Sequence, residues 1–152
     1  MKKEAARKDA ARKDEGVDLT DPANFEFWAS ENIRIADTDM GGHVNNTAIA
    51  GYVESGRVAR LRAAMDLRGA DERWVIAHVD IDFRAEAQPP GQVRIGTRLS
   101  ALGTTSVTLG AGLFMDERCI ATARSVMVFL KGANTAPIPD AVRQSLQAGP
   151  KL

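Results

Sequence analysis

One run of helical spacing stands among several runs of strand spacing, and that contrast limits the fold more than any other feature of the chain. From Asn46 to about Met65, Ile49, Val53 and Gly56 recur at helical intervals. Ala48, Tyr52, Ser55, Ala59 and Ala63 widen the same face. The small residues Ala48, Ala50, Gly51, Ser55, Gly56 and Ala59 predict close approach to a neighbouring surface such as a sheet. Asn45 or Asn46 is placed to cap the start, and Arg57, Arg60 and Arg62 are expected on a polar flank. The helix should end through Leu67–Arg73, around Gly69.

The flanking runs alternate with period two. Phe25, Phe27, Ile33 and Ile35 predict a first strand over Phe25–Ala36. Val75, Ala77, Val79, Ile81 and Phe83 form the cleanest alternation and predict a second, closed by the turn Gln88-Pro89-Pro90-Gly91. Val93–Leu102 and Ser106–Met115 are predicted strands joined by a hairpin link at Gly103-Thr104-Thr105. Cys119–Leu130 is predicted as the last strand. Its run Val126-Met127-Val128-Phe129-Leu130 is apolar on both faces, which places it centrally. A short helix is expected within Pro137–Gln147, with Asp140 near its start. Strand, long helix and then four strands on short links is an α+β pattern, an antiparallel sheet wrapped around one helix.

The chain has 152 residues, enough for one domain with a real core. Formal net charge is zero, which argues against a general nucleic-acid binder. A single cysteine, Cys119, leaves no intrachain disulfide and points to a reducing compartment. No run approaches the roughly 18 apolar residues of a membrane span, and no apolar signal-peptide core is evident. A soluble, cytoplasmic protein is the expectation. Residues 1–21 contain the near-repeat Ala5-Ala6-Arg7-Lys8-Asp9 and Ala10-Ala11-Arg12-Lys13-Asp14 and lack an apolar stripe. They are expected to form a flexible charged extension, with the folded domain over 22–152.

Chemistry concentrates in the turn between the first strand and the helix, Asp37-Thr38-Asp39-Met40-Gly41-Gly42-His43-Val44-Asn45-Asn46. Two close carboxylates raise one another's pKa, which suits a general base. Gly41 and Gly42 allow the backbone to approach a ligand. The helix start just beyond offers free N–H groups to a developing oxyanion. On residue types alone, the same aspartates and asparagines also serve as caps and turn formers. Asp37, Asp39 and His43 are also the types that hold a divalent ion. No phosphate-cradling loop and no serine-nucleophile elbow is present.

This turn, followed by Tyr52-Val53-Glu54-Ser55-Gly56-Arg57, resembles the signature of the 4-hydroxybenzoyl-CoA thioesterase-like, hot-dog-fold proteins. Val79-Asp80-Ile81-Asp82-Phe83-Arg84, Pro90-Gly91 and Leu102-Gly103-Thr104-Thr105-Ser106-Val107 extend the resemblance over about residues 25–131. It implies a five-stranded antiparallel sheet around a central helix and hydrolysis of acyl-CoA thioesters. The site is expected at the interface of a homodimer, possibly a homotetramer, with no metal and no organic cofactor. The catalytic carboxylate matches Asp39, the backbone N–H at the helix start matches Asn46, and His43 matches an assisting histidine. Substrate contacts are expected at Gly42, Asn45, Arg84, Thr104 and Thr105, with Arg98 as a further cation. Glu54, on the helix, is the alternative catalyst. A hot-dog module that binds or assembles without turnover is the alternative function, and a hot-dog dehydratase or hydratase is a third.

Overall fold

The computed structural model describes residues 16–149. Along the chain lie β1 (Phe27–Asn32), α1 (Asn46–Met65), β2 (Glu72–Phe83), β3 (Gln92–Leu102), β4 (Ser106–Met115), β5 (Arg118–Lys131), the two-residue β6 (Asn134–Thr135) and α2 (Asp140–Ala148). Every strand pairing is antiparallel, in the order β1-β3-β4-β5-β2, with β6 on β5. This is the α+β hot-dog architecture that the sequence predicts, a curled sheet around α1.

Helix α1 has the predicted limits. Asn45 is its cap: the Asn45 side-chain oxygen accepts from the Ala48 N–H at 2.7 Å, satisfying one of the helix's orphan donors. Ile49, Tyr52 and Val53 of α1 pack on Val93 and Ile95 of β3, Leu113 of β4 and Ala121 and Ala123 of β5. A second apolar cluster joins Leu61 and Ala64 to Val107, Leu109, Phe129 and Trp74, and is closed by Val142 and Leu146 of α2. Leu61, Leu113, Val142 and Leu146 are fully buried, and each contributes about 1.5–3 kcal/mol through the apolar area it removes from water. Gly56 is where helix and sheet come closest. A Cβ there would collide with Ile95 Cγ2 and stand 3.0 Å from Thr97 Oγ1. Trp74 packs edge-on to Phe129, with centroids 5.0 Å apart, so its role is packing.

Three expectations about the strands and the helix are corrected. The first strand runs over Phe27–Asn32 rather than Phe25–Ala36, because Ile35–Asp37 turns into a single 3₁₀ turn drawn in by the Asp37 carboxylate, and Ile35 is left exposed. In β2 the register shifts between Ile76 and His78, so Val75 and Ala77 do not share a face with Val79, Ile81 and Phe83; a bulge reverses the pleat. Ile76, Val79 and Phe83 instead form an exposed apolar row on this edge strand. Arg57 and Arg60 are not on a polar flank. Both are buried, their guanidinium groups donating to Ser125 Oγ at 3.1 Å and to the Leu146 carbonyl at 3.1 Å. Their long stems carry the charge past the helix surface to acceptors on β5 and α2.

The outer face of the sheet is covered by the chain before β1. Leu19 and Phe25 are buried against Phe114, and the ring of Phe25 meets Trp28 and Phe114 edge-on. Gly96 and Gly112, paired across β3 and β4, leave the room they need, since a Cβ at either would strike Phe25. Thus the segment 17–25 lies against the sheet, although the charged extension was expected to run to residue 21. The rest of that extension, 1–15, lies outside the described residues.

Candidate active site

The turn after β1 is a closed loop. Asn45 N–H donates to the Asp37 carbonyl and Asp39 N–H to the His43 carbonyl, both at 2.8 Å, and Thr38 bridges Val44. Gly42 N–H donates back to the Asp39 carbonyl at 3.0 Å, and Gly42 itself has φ +79°. That is a β-turn followed by a left-handed residue, where glycine carries no steric penalty. Val44 N–H donates to the Ala87 carbonyl at 2.8 Å, tying this loop to the segment after β2.

Within this loop the two aspartates diverge. Asp37 is buried. Its carboxylate accepts from the Arg34 backbone N–H at 2.9 Å, Arg34 Nη2 at 2.9 Å and Nε at 3.2 Å, and the Tyr52 hydroxyl at 2.8 Å. These bonds, Arg34's first, hold its pKa down at about 2. Burial and the Asp37 carboxylate push the Tyr52 phenol above its usual range. The mutual raising expected of two neighbouring carboxylates is therefore absent at Asp37: its charge is neutralised locally and its lone pairs are used. Asp37 lies in the cleft on the β1 side of α1, with Glu31, Arg34, Asn45, Thr47 and Ser55.

Asp39 is exposed. Its Oδ1 accepts from Gly41 N–H at 2.8 Å and His43 N–H at 3.2 Å, while its Oδ2 has no hydrogen-bond partner among the described residues. Asp39, His43, Asn46 and Arg84 line one cleft of about 340 Å³. Its floor is Val44, Ile49, Ala85, Ala87 and Ile120, and Phe83 stands at its edge. Asn46 is the first residue of α1, and its N–H has no acceptor among the described residues. His43 Nε2 lies 3.1 Å from Glu86 Oε2, a contact with no sequence signal because the two residues lie on separate loops. Arg84 donates through Nε to Thr122 Oγ1 at 3.0 Å.

The structure thus brings together Asp39, His43, Asn46 and Arg84, and separates the other predicted residues from them within one chain. Gly42 shapes the loop. Asn45 caps the helix and faces the opposite cleft. Thr104 and Thr105 are at the β3–β4 link, where their carbonyls accept from Ile138 and Phe129. Phe129 is nine residues along β5 from the cleft residue Ile120, so the link is separated from the cleft by up to about 30 Å of strand. Arg98 donates to the Asn24 carbonyl and anchors the segment before β1. Glu54 is exposed and lines neither cleft. No group of three or more metal-ligating side chains occurs among the described residues. Among those residues no helix is long and apolar enough to cross a membrane.

A curled sheet around one helix, with a carboxylate at the helix head, defines a hot-dog protein of the thioesterase type. The chain belongs to the thioesterase-like superfamily, whose family model matches residues 33–146. Among solved structures it is similar to a thioesterase-superfamily protein from Jannaschia sp. CCS1, at 31% identity and a TM-score of 0.75 over 84% of this chain and 85% of that one. It is also similar to a thioesterase from Thermus thermophilus complexed with coenzyme A and Zn, at 25% identity and a TM-score of 0.71 over 82% and 99%. A curated relative, the uncharacterized protein YsmA of Bacillus subtilis, is 30% identical over 87 residues, 57% of this chain and 59% of its own length.

Proposed function

We propose that the protein hydrolyses acyl-CoA thioesters in the Asp39 cleft. The observation that carries this reading is the pairing of an exposed carboxylate, one oxygen uncommitted, with the unbonded N–H of Asn46 at the head of a 20-residue helix. A thioester carbonyl oxygen received by that N–H gains the helix-terminus field as it becomes an oxyanion. Asp39 then acts in one of two ways. As a general base it takes a proton from water, whose oxygen adds to the carbonyl carbon; collapse breaks the C–S bond, and the proton passes to the CoA thiolate. As a nucleophile it adds to the carbonyl carbon and expels CoA thiolate with cleavage of the C–S bond, and water then cleaves the resulting acyl anhydride, giving the acid, the free carboxylate and a proton for the thiolate. Single turnover in ¹⁸O-water identifies the second route when label enters Asp39, which happens only if water attacks the aspartyl carbonyl of the anhydride. Arg84, whose guanidinium is held by Thr122 Oγ1 and lies 3.8 Å from Asp82 Oδ2, is the cation of the cleft lining open to an anionic substrate, and the CoA-bound Thermus relative supports CoA as the carrier.

The exposed row Ile76, Val79 and Phe83 on the unpaired edge of β2 supports a homodimer through that edge. Because Phe83 also borders the cleft, the second subunit would stand at its mouth. The lone cysteine fits a reducing, cytoplasmic compartment. The deciding experiment is an acyl-CoA panel with a thiol reagent, run on the wild type and on Asp39→Asn. Release of CoA by the wild type and its near-complete loss in the variant is expected. Binding without release across the panel would instead favour a non-catalytic acyl-thioester-binding module.

A further inference from the structure

The structure assigns Glu86 as the positioning residue of His43, fixing which ring nitrogen the imidazole presents to the Asp39 turn. The inference rests on the proposed site, but its geometry stands apart from the reaction. Glu86 sits on a backbone pinned from three sides. Arg84 and Ala85 N–H donate to the Ile120 carbonyl at 2.9 and 3.2 Å, Arg118 Nη2 donates to the Glu86 carbonyl at 2.6 Å, and the Ala87 carbonyl receives Val44 N–H at 2.8 Å. The last bond sets His43 and Glu86 side by side, one residue before each end of it. The contact that results joins His43 Nε2 to Glu86 Oε2 at 3.1 Å.

A carboxylate only accepts, so Nε2 must carry a hydrogen. In the neutral ring Nδ1 is then the bare acceptor. Nδ1 has no protein partner among the described residues. It shares a small volume with the candidate catalyst: a methyl group on Gly41 would lie 3.2 Å from His43 Nδ1 and 3.2 Å from Asp39 Oδ1. The imidazole nitrogen and the carboxylate are thus two acceptors that flank the Gly41 backbone. The other charged groups of the cleft lining are Asp39 on the same loop as His43 and Arg84 two residues before Glu86, while Arg118 reaches the Glu86 carbonyl. None of these contacts Nε2, so Glu86 is the carboxylate that favours hydrogen on that nitrogen.

The test is long-range ¹H–¹⁵N correlation of the imidazoles at alkaline pH, with His43 identified by its loss in His43→Gln. The wild type is expected to show His43 with hydrogen on Nε2, Glu86→Gln to keep it through its amide oxygen, and Glu86→Ala to show exchange-averaged tautomers. In hydrolysis assays Glu86→Ala should lower kcat about threefold to fivefold with KM unchanged, the scale of an exposed ion pair, and Glu86→Gln should retain most of it. A hydrogen on Nδ1 in the wild type, or an unchanged tautomer in Glu86→Ala, overturns the assignment. If the protein hydrolyses no acyl-CoA, the catalytic reading fails, while the tautomer measurement still decides the role of Glu86.

Discussion

Two aspartates two residues apart, Asp37 and Asp39, show how the same side chain is put to opposite uses. Asp37 is buried, accepts four hydrogen bonds and is held ionised down to about pH 2. Asp39 is exposed, uses one oxygen to shape its own turn and keeps the other uncommitted. A carboxylate whose lone pairs are filled has nothing left to offer a reacting proton; its contribution is to rigidity. The 3₁₀ turn at Ile35–Asp37 produces the difference by rotating Asp37 inward toward Tyr52, so that only Asp39 joins Asn46 in a cleft. A fixed anion beneath the loop and an available one above it make a supported site.

The contrast is most exposed to failure at Asp39. Asp39→Asn keeps an oxygen for Gly41 and His43 N–H, so melting should be nearly unchanged while acyl-CoA turnover falls by about 10²- to 10⁴-fold. Substantial retained activity would remove Asp39 from catalysis. The mirror-image substitution, Asp37→Ala, should lower unfolding free energy by about 2 kcal/mol in denaturant titration, because it strands the buried Tyr52 hydroxyl. A stable Asp37→Ala protein with abolished turnover would mean the roles are exchanged.

The pH dependence separates the pair further. Asp37 has a folded pKa below its unfolded one, so its stabilisation is complete above about pH 4 and is lost as pH falls toward about 2. Tyr52 is shifted the other way. Its contribution is complete below about pH 10 and is lost as pH rises beyond that. Chemical denaturation across pH should show both slopes in the wild type and in Asp39→Asn, and a flattened acid slope in Asp37→Asn. The smallest effect belongs to Glu54→Gln. Because Glu54 lines neither cleft, its kcat should stay within about twofold of wild type, the scale of a surface substitution. A large loss would transfer catalysis to the helix.

Most of the local architecture was legible. An asparagine cap followed by helical spacing located α1, and a glycine-threonine link located the β3–β4 hairpin, because such signals act over a few residues. The edge bulge in β2 was not legible: five apolar residues at alternate positions look like one face until a register shift divides them. Nor were Arg57 and Arg60, where charge suggested solvent while stem length and distant acceptors, Ser125 Oγ and the Leu146 carbonyl, decided burial. Of the predicted site residues, Asp39, His43, Asn46 and Arg84 share a cleft, whereas Thr104 and Thr105 do not join them in one chain.

By itself, then, the sequence determined the element order, the limits of the central helix and the loop in which the candidate catalytic residues concentrate. Periodicity and capping are properties of neighbouring residues. The tertiary structure decided which aspartate is spent and which is available, where the arginines go, and that Glu86 meets His43. Each of those depends on atoms far apart in the chain, brought within hydrogen-bonding distance only when the sheet closes around the helix.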